Sequence, residues 1–485
     1  MLKRNLFFTL ILSVSQFVFP LITFPYSTHI LGPGGIGTIN FIDSCTQYFI
    51  LIAALGIPTY GIREIAKHRN NRIALNKLFS EILIIHIIST TIFAILFLLI
   101  ALFVPTINVH LNLVFAGIAL MYFSAFIVEW FYSGIENFSY ITVRSLCVRI
   151  LSIVALFVIL KPGAQPIVYY LIIVFTAALT GFLNIVNLRK HVSISLRGLK
   201  LKRHLKPLFI LLSSALAISV YVLMDNIILG FIKGDEAVGI YATATKIVKI
   251  PFALLMAINA VIVPKVSRAF NEGNIDEIRE LINKSFAFLC IIALPITVGI
   301  NVSATFLVRS FAGPKFLSAV PVLQILSPVT MVVGFTFIFA AQLLTPMGLE
   351  RILVRISIIG MFFSLICNII LIPLLSYTGA AITNILTELI VATLCYFITK
   401  KYIDIKFDKH ILFACLTGSL IFIPIAFLIR GLNFKVIYLD ISIIITCTIF
   451  YIVYMWIFVK NKYLDDLKRD IKIRLHIIKQ IKLNN

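Results

Sequence analysis

Seven charged residues fall inside long apolar stretches of the sequence: Asp43, Glu129, Arg149, Asp225, Lys246, Lys249 and Glu388. A charge near the centre of a lipid bilayer costs about 2.5–3.5 kcal/mol on insertion scales, so a charge retained there is a candidate for function. Membrane-embedded acids can bind and release a proton near neutral pH. Lys246 and Lys249, three residues apart on one helical face, form a compact positive pair suited to phosphate. The alternative is mutual neutralisation, for example of Asp225 by Lys246.

Polar residues accompany these charges at helical spacing. They include Gln16, Thr23, Ser27, Asn40, Gln47, Tyr122, Ser133, Ser214, Tyr221, Thr243, Tyr377 and Asn384. Such faces do not point at lipid, because the bilayer core offers no partners for polar groups. We expect them to line a water-filled cavity. The alternative is hydrogen bonding between packed helices, which uses the same residue types.

The elements that would position these side chains are membrane-spanning helices. Of 485 residues, 60% are hydrophobic and 13% are charged, with a mean hydropathy of +1.06, whereas a soluble domain is about half apolar and a quarter charged. Because one span takes about 20 apolar residues, the sequence predicts an all-α polytopic membrane protein with about fourteen transmembrane helices. The predicted spans are 6–31, 39–61, 78–104, 112–132, 145–160, 167–188, 207–232, 240–263, 285–308, 320–346, 353–375, 377–399, 411–430 and 438–459.

Lysine and arginine are concentrated in alternate loops. With the N-terminus inside, 33 of the 42 basic residues fall in the predicted inner segments and 6 in the outer loops. Cytoplasmic loops carry this excess in membrane proteins, so we expect a multi-pass protein with both termini cytoplasmic. The net charge of +22 then reports orientation. It does not indicate nucleic-acid binding, for which the sequence has no module.

The sequence contains a weak internal duplication. Leu31-Gly32 followed by Gly37 resembles Leu229-Gly230 followed by Gly239. Two blocks of six spans would have the same orientation, as in a parallel repeat about an axis along the membrane normal. The C-terminal residues 460–485 are basic and have apolar residues at helical spacing. We expect them to form an amphipathic helix on the inner leaflet or a solvated tail. The predicted parts are a six-helix bundle at 1–206, a second at 207–410, two additional helices at 411–459 and the basic tail at 460–485.

Motifs of the common enzyme classes are absent from the sequence. We find no P-loop GxxxxGK[ST], no HExxH and no GxSxG. The seven cysteines form no CxxC pair and are interpreted as small apolar core residues. We therefore expect a transporter and not an enzyme, with no cofactor and no metal site.

Four segments resemble the bacterial O-antigen flippases, the Wzx-type polysaccharide transporters. They are PLITFPYSTHILGPGGIG at 20–37, YFILIAALGIPTYGIREIAK at 48–67, EWFYSGIENFSYITVR at 129–144 and DNIILGFIKGDEAVGIYATATKIVK at 225–249. The resemblance covers roughly the first 270 residues and continues less distinctly, through hydropathy, to the last span.

This resemblance implies a fold and a substrate. The fold is a V-shaped pair of six-helix bundles with two extra helices, shared with multidrug antiporters and the lipid II flippase. The activity is movement of an undecaprenyl-diphosphate-linked oligosaccharide from the cytoplasmic to the periplasmic leaflet of the bacterial inner membrane. A proton or sodium gradient would drive it. Membrane lipids, a polysaccharide polymerase and a chain-length regulator are the candidate partners.

The resemblance also carries over individual positions. Arg63, Glu64 and Glu136 are assigned to a cytoplasmic gating motif. Glu129 and Asp225 are matched positions among the acids. The family often has Arg where this chain has His29, which replaces a permanent charge with a titratable one.

The resulting mechanism is a hypothesis with two roles for charge. The expected diphosphate-binding cations are Arg149, Lys246 and Lys249, with His29 assisting. The expected ion-coupling acids are Asp43, Asp225, Glu388 and Glu129. One rival is a multidrug or small-solute antiporter of the same fold, which predicts an acidic and aromatic cavity. The other is a non-transporting scaffold for polysaccharide assembly, which predicts that no cavity charge matters.

Overall fold

A computed structural model describes the chain over residues 2–195, 198–432 and 436–458. Across these ranges the regular secondary structure is helical, without strands. The predicted all-α membrane fold is confirmed for this part of the chain. The amphipathic tail predicted at 460–485 lies outside the described residues.

The helices follow one another with short connections. The first eight are α1 (Leu2–Ala53), α2 (Ile57–His68), α3 (Arg72–Phe103), α4 (Pro105–Asn108), α5 (Leu111–Ala125), α6 (Glu129–Gly134), α7 (Phe138–Ile159) and α8 (Pro166–Leu188). The next seven are α9 (Lys202–Lys233), α10 (Asp235–Val248), α11 (Phe252–Asn271), α12 (Ile275–Val302), α13 (Ala304–Ala312), α14 (Ala319–Leu326) and α15 (Val329–Thr336). The last four are α16 (Glu350–Lys400), α17 (Lys409–Leu420), α18 (Phe422–Arg430) and α19 (Val436–Phe458). A 3₁₀ turn lies at Pro314–Phe316 and a π-helical segment at Phe337–Leu344.

Eleven helical segments of the described chain are long and apolar enough to cross a membrane. Two of them, Val18–His68 and Glu350–Lys400, have 51 residues each. That is about 76 Å of helix against a hydrocarbon core of about 30 Å. Within them Gly32 (φ 67°) and Ser376 (φ 55°) have non-helical backbone, close to the predicted breaks between spans. Each segment can therefore cross twice, and the exact count of fourteen stays a prediction.

The chain forms two compact units. The first comprises residues 1–253, 308–322 and 354–387, and the second comprises 254–307, 323–353 and 388 onward. The predicted division at 206/207 rests on an internal repeat, which this grouping by contacts does not test. The two six-helix bundles therefore stay a prediction.

An aromatic cluster forms part of the core of the first unit. The ring of Phe79 on α3 lies 5.4 Å from that of Trp130 and 5.3 Å from that of Phe131 on α6. Such pairs contribute about 0.5–1.5 kcal/mol beyond their burial. A Cβ at Gly61 of α2 would lie 2.5 Å from the Trp130 ring, so only glycine lets α2 pack directly on the indole.

Helices α1 and α10 touch backbone to backbone at two glycines. A Cβ at Gly37 would lie 1.6 Å from the carbonyl oxygen of Asp235, and one at Gly239 would lie 2.0 Å from that of Pro33. No side chain fits at either position without moving a helix. The two glycines that correspond in the predicted repeat thus meet each other.

Asp235 fixes the same contact through its side chain. Its Oδ2 accepts a hydrogen bond from Thr38 Oγ1 at 2.6 Å and lies 3.1 Å from Nε2 of His110. Burial alone would raise the pKa of Asp235, but the hydrogen bonds from His110 and Thr38 hold the pKa below its ordinary value. A carboxylate in the first turn of α10 also suits the positive end of the helix dipole.

In the second unit α12 packs against α15, α17 and α18. Phe286 of α12 lies 5.8 Å from Phe335 of α15 and 4.5 Å from Phe407, measured between ring centroids. Helix α15 runs into the π-helical segment, where Gln342 Nε2 donates to Asn259 Oδ1 at 2.6 Å. Gln342 is 2% exposed, so the π-helical segment carries a buried polar side chain, and π-helical distortions are frequent at functional sites.

Candidate functional site

Asp225 of α9 is the centre of a buried polar cluster in the first unit. Its side chain is buried, with the residue 2% exposed. The carboxylate accepts hydrogen bonds from Tyr241 Oη (2.5 Å), Asn368 Nδ2 (2.7 Å) and Asn384 Nδ2 (3.1 Å). The two asparagines lie eight residues before and eight after the break at Ser376. The break therefore folds α16 so that both of its arms reach one carboxylate.

The cluster leaves one oxygen available. Asn368 Oδ1 is buried and has no hydrogen-bond partner among the described residues. An unsatisfied buried acceptor costs about 1–3 kcal/mol. Carboxylate and amide oxygens are the ligands that hard cations take in proteins. The arrangement around Asp225 can therefore hold a proton or a hard cation.

Asp43 lies in the second arm of α1 and is half-buried. Gln47 Nε2 donates to its Oδ1 at 3.3 Å, and the hydroxyl of the fully buried Tyr170 lies 3.4 Å from the same oxygen. That hydroxyl also lies 3.2 Å from Thr46 Oγ1. These distances are at the long end of hydrogen bonding, so Asp43 is held less tightly than Asp225.

Lys246 of α10 and Lys249, the residue that follows this helix, interact with different acids. Lys246 Nζ lies 3.9 Å from the centre of the Phe24 ring on α1 and interacts electrostatically with Asp43. Lys249 is exposed and interacts electrostatically with Asp225. The electrostatic partner of Lys246 is thus Asp43, whereas the sequence suggested Asp225.

Arg149 faces the first arm of α1. Its Nη1 donates to Ser15 Oγ at 2.6 Å, and its guanidinium carbon lies 5.5 Å from the centre of the Phe19 ring. The ring that Lys246 covers is five residues further along the same arm, or about 7.5 Å of helix. The structure therefore brings Arg149 and Lys246 to one helix, each over an aromatic ring.

His29 lies near the outer end of that arm and is exposed. Its Nδ1 is 2.7 Å from the carbonyl oxygen of Pro25. A Cβ at Gly313 would lie 3.2 Å from the His29 ring, so the imidazole packs on this glycine. Its described contacts are with Pro25 and Gly313 and do not include Lys246 or Arg149.

Glu129 belongs to an ion-pair network that the sequence did not indicate. Arg144 Nη2 donates to Glu129 Oε1 at 2.5 Å and Arg144 Nη1 donates to Asn184 Oδ1 at 2.8 Å. Arg144 was assigned to a loop because the fifth span was predicted to start at 145. The helix starts at Phe138, and Arg144 is a buried residue inside it. Glu129 remains 48% exposed.

Arg63, Glu64 and Glu136 lie around α2. The Glu64 carboxylate is 2.8 Å from Lys67 Nζ and 3.6 Å from Arg63 Nε. Glu136, with φ 60°, lies 2.8 Å from Arg69 Nη1. These three residues thus form local ion pairs at the end of the first unit that carries the loop before α3.

Glu388 is half-buried in α16. It lies four residues after Asn384, a member of the Asp225 cluster. Asp440 of α19 is 7% exposed and was not among the sequence candidates, although its apolar neighbours mark it in the same way. Both have interactions in the structure.

Glu81 is a further buried acid that the sequence did not indicate. It lies on α3, is 0% exposed and binds both the first turn of α9 and the segment before it. Its Oε2 lies 2.5 Å from Arg203 Nη2 and 2.9 Å from His204 Nε2, and its Oε1 accepts from the Lys200 backbone N–H at 2.6 Å. Tyr60 Oη of α2 lies 2.6 Å from His204 Nδ1. This linker cluster ties the 198–204 segment to α2 and α3.

An apolar cavity of about 500 Å³ lies in the second unit. Its walls come from α12, α18 and α19, with Pro295, Ile296, Phe422, Ile443 and Tyr451 among the lining residues. An apolar cavity of this size accommodates a hydrocarbon chain.

The sequence matches two protein families and a relative of known source. The family described as polysaccharide biosynthesis protein matches residues 2–270, and the MatE family matches residues 210–374. A protein of Escherichia coli strain K12 named “Putative O-antigen transporter” is 27% identical over 399 residues, which cover 81% of this chain and 95% of the relative.

Two solved structures share the fold. The lipid II flippase MurJ matches with a TM-score of 0.75 at 16% identity, over 94% of this chain and 98% of that chain. An inward-facing multidrug resistance transporter of the MATE family matches with a TM-score of 0.65 at 15% identity, over 80% of this chain and 94% of that chain. At these identities the match concerns the fold alone.

Proposed function

Because the chain belongs to the polysaccharide biosynthesis protein family, which matches more than half of its length, we propose that it is a flippase for lipid-linked oligosaccharides. The resemblance to O-antigen flippases is confirmed by the family and by the Escherichia coli relative. The proposed substrate is an undecaprenyl-diphosphate-linked repeat unit of the O-antigen type. It moves from the cytoplasmic to the periplasmic leaflet, and the chain acts as a transporter and not as an enzyme.

The observation that carries the substrate proposal is the placement of cations along the first arm of α1. Arg149 and Lys246 each lie over a phenylalanine ring of this arm. A ring on one side leaves the other side of the cation available to an anion. Lys249 follows on α10 and is exposed. Two negative phosphates would gain from several cations held in place before they arrive.

Complementation of a flippase-null strain tests this proposal. The double variant Lys246→Gln with Lys249→Gln should lower surface polysaccharide at least about tenfold at equal protein level, because each lost charge-assisted bond is worth about 1.5–3 kcal/mol. The matched control is Lys400→Gln with Lys401→Gln, two adjacent exposed lysines at the end of α16. Unchanged polysaccharide in the first variant would show that the diphosphate role is wrong.

The same strains test the antiporter alternative. A drug exporter of this fold would predict drug sensitivity when the chain is deleted, with surface polysaccharide intact. A flippase predicts the reverse. Arg149 and Lys246, which lie over rings of α1, disfavour cationic drugs as cargo, since like charges in one site repel.

The polyprenyl tail is proposed to use the apolar cavity of the second unit. Its walls at α12, α18 and α19 carry mostly aliphatic and aromatic side chains. A hydrocarbon chain gains about 25 cal/mol for each Å² that it removes from water, but nothing comparable when it leaves lipid. The cavity would therefore guide the tail without holding it strongly.

The coupling ion is proposed to bind at Asp225. Support comes from the burial of the carboxylate and from the adjacent Asn368 Oδ1, which lacks a donor within the described chain. An ion drives a transporter only if it binds two conformations differently. Because the carboxylate joins both arms of α16, a change in the bend at Ser376 would change the site. Asp43, Glu129 and Glu388 remain candidates for a second ionisable group.

The proposed location is the bacterial inner membrane, with both termini cytoplasmic. Support comes from the excess of lysine and arginine in the loops predicted to be cytoplasmic, which is typical of membrane proteins. A polysaccharide polymerase and a chain-length regulator are proposed as partners, since a flipped repeat unit is the material that such enzymes consume.

A further inference from the structure

A polar cavity of about 570 Å³ lies at one end of the first unit, at the loops before α3, before α7 and after α8. We call it the basic pocket. The residues that matter for its chemistry are Arg69, Arg72, Glu136, Asn137, Lys190 and His191. These loops are distant in sequence, and they are among those that the basic-residue count predicts to be cytoplasmic.

The basic pocket has more positive than negative charge. Its lining includes three permanent cations and one carboxylate, Glu136. That carboxylate is already engaged by Arg69 at 2.8 Å. Arg72 and Lys190 are exposed and form no ion pair within the described ranges. These two cations are therefore available to an anion that enters the pocket.

The backbone adds to the positive potential. Helix α3 begins at Arg72 and α7 begins after its N-cap Asn137. Both are long helices, of 32 and 22 residues, and both present their N-terminal ends to the basic pocket. Each such end is equivalent to about half a positive charge. This field adds to the potential of the side chains.

His191 reports on the charge of the basic pocket. Its ring lies 6.2 Å from the rings of Phe131 and Tyr132, measured between centroids. Partial burial and the neighbouring charge of Lys190 lower the pKa of His191. An anion bound between Lys190 and Arg72 would oppose this second effect.

We propose that the basic pocket is a binding site for a phosphate-bearing anion. Guanidinium and ammonium groups converging on a concave surface match the geometry and charge of phosphate oxygens. The anion has two possible sources, the headgroup of an anionic membrane lipid and a water-soluble phosphate. The lining of the basic pocket does not include Arg149, Lys246 or Lys249, and the proposal does not depend on which substrate the protein moves.

Calorimetric titration of the purified full chain in detergent tests the proposal with two probes. One is sodium pyrophosphate at constant ionic strength, and the other is dihexanoyl phosphatidylglycerol below its micelle concentration, with dihexanoyl phosphatidylcholine as the zwitterionic reference. We expect the wild type to bind at least one probe. Binding of pyrophosphate identifies a water-soluble source, whereas binding of phosphatidylglycerol alone identifies a lipid headgroup.

Because Lys246 and Lys249 are themselves proposed to bind a diphosphate, the variants are compared in the Lys246→Gln, Lys249→Gln background. There Arg72→Gln with Lys190→Gln should weaken binding at least about tenfold, while Lys400→Gln with Lys401→Gln, two exposed lysines that do not line the basic pocket, should leave it unchanged. A thermal melt of each variant checks that the protein is folded. The proposal is overturned if neither probe binds the wild type, or if the Arg72/Lys190 variant binds as tightly as the background protein.

A second readout locates the anion. In protein labelled at its histidine rings, the NMR signal of His191 is assigned by its loss in His191→Gln. The bound probe should raise the pKa of His191 in the wild type. Binding without any change in this titration would place the anion elsewhere and would also overturn the proposal.

Discussion

At the scale of the residue, the Asp225 cluster holds its carboxylate firmly but leaves one amide oxygen without a hydrogen-bond donor among the described residues. Three donors from two helices hold the carboxylate, so its position is well defined. The Asn368 amide oxygen beside it lacks a donor in the described chain. This oxygen beside a buried carboxylate is the ground for proposing that a cation binds here.

Asp225 should make the stability of the protein depend on the coupling ion. A ligand at 100 times its Kd stabilises the state that binds it by about 2.7 kcal/mol. We expect the melting temperature of the wild type to rise when sodium chloride replaces choline chloride, and Asp225→Asn to abolish this rise. The measurement is a thermal melt in detergent at fixed pH and ionic strength.

Asp404→Asn is the matched control, because Asp404 is exposed and lies outside the cluster. It should respond to sodium as the wild type does. A wild type that ignores sodium but whose melting temperature depends on pH through Asp225 would identify the proton as the ion. A sodium response that survives in Asp225→Asn would contradict the assignment of the site.

The sequence could indicate Asp225 but not its partners. A carboxylate in an apolar run is visible to hydropathy alone. Asn368 lies 143 residues away, and only the fold brings it near. Glu81 and Arg144 were missed for another reason. Both lie within a turn or so of a predicted span boundary, where a charge is expected to reach water, and only packing shows that they are buried.

At the scale of the element, the long helices α1 and α16 follow from composition, whereas their packing does not. Apolar periodicity predicts where helices lie, and the breaks near Gly32 and Ser376 were close to the predicted loops. The fifth span begins earlier than predicted because Arg144 interrupts its apolar run without interrupting its helix. The close approach of the α1 and α10 backbones at Gly37 and Gly239 is a tertiary contact, and the hydrophobic pattern of one sequence does not predict it.

Gly37→Ala should separate α1 from α10. The added Cβ would lie 1.6 Å from the Asp235 carbonyl oxygen, so one helix must move. Overpacking of this kind costs about 1–3 kcal/mol. We expect a lower melting temperature and reduced complementation of a flippase-null strain.

Gly34→Ala provides the control on the same helix. Its added Cβ would meet nothing within 4 Å, and alanine favours a helix by up to about 1 kcal/mol over glycine. This variant should be as stable as the wild type or more stable. Equal stability of Gly37→Ala and Gly34→Ala would contradict the close packing of the two helices.

At the scale of the whole molecule, part of the net charge of +22 is concentrated at one end of the first unit. One end of this unit gathers the loops of the basic pocket. At another place in the same unit Tyr26 Oη donates to the Leu160 carbonyl oxygen at 2.8 Å, next to the loop between α7 and α8. Helix α7 lies between that loop and the basic pocket and has 22 residues. This is about 33 Å of helix, close to the thickness of a bilayer core.

Cysteine labelling should therefore distinguish the two ends of the first unit. In a background without the native cysteines, Gln165→Cys, in the loop before α8, should react with a membrane-impermeant maleimide in intact cells. Asn70→Cys, in the loop before α3, should react only after the membrane is opened. Both residues are exposed, so access to the reagent and not burial decides the result. Labelling of Asn70→Cys in intact cells would invert the orientation, place the basic pocket outside, and remove the topological explanation of the net charge.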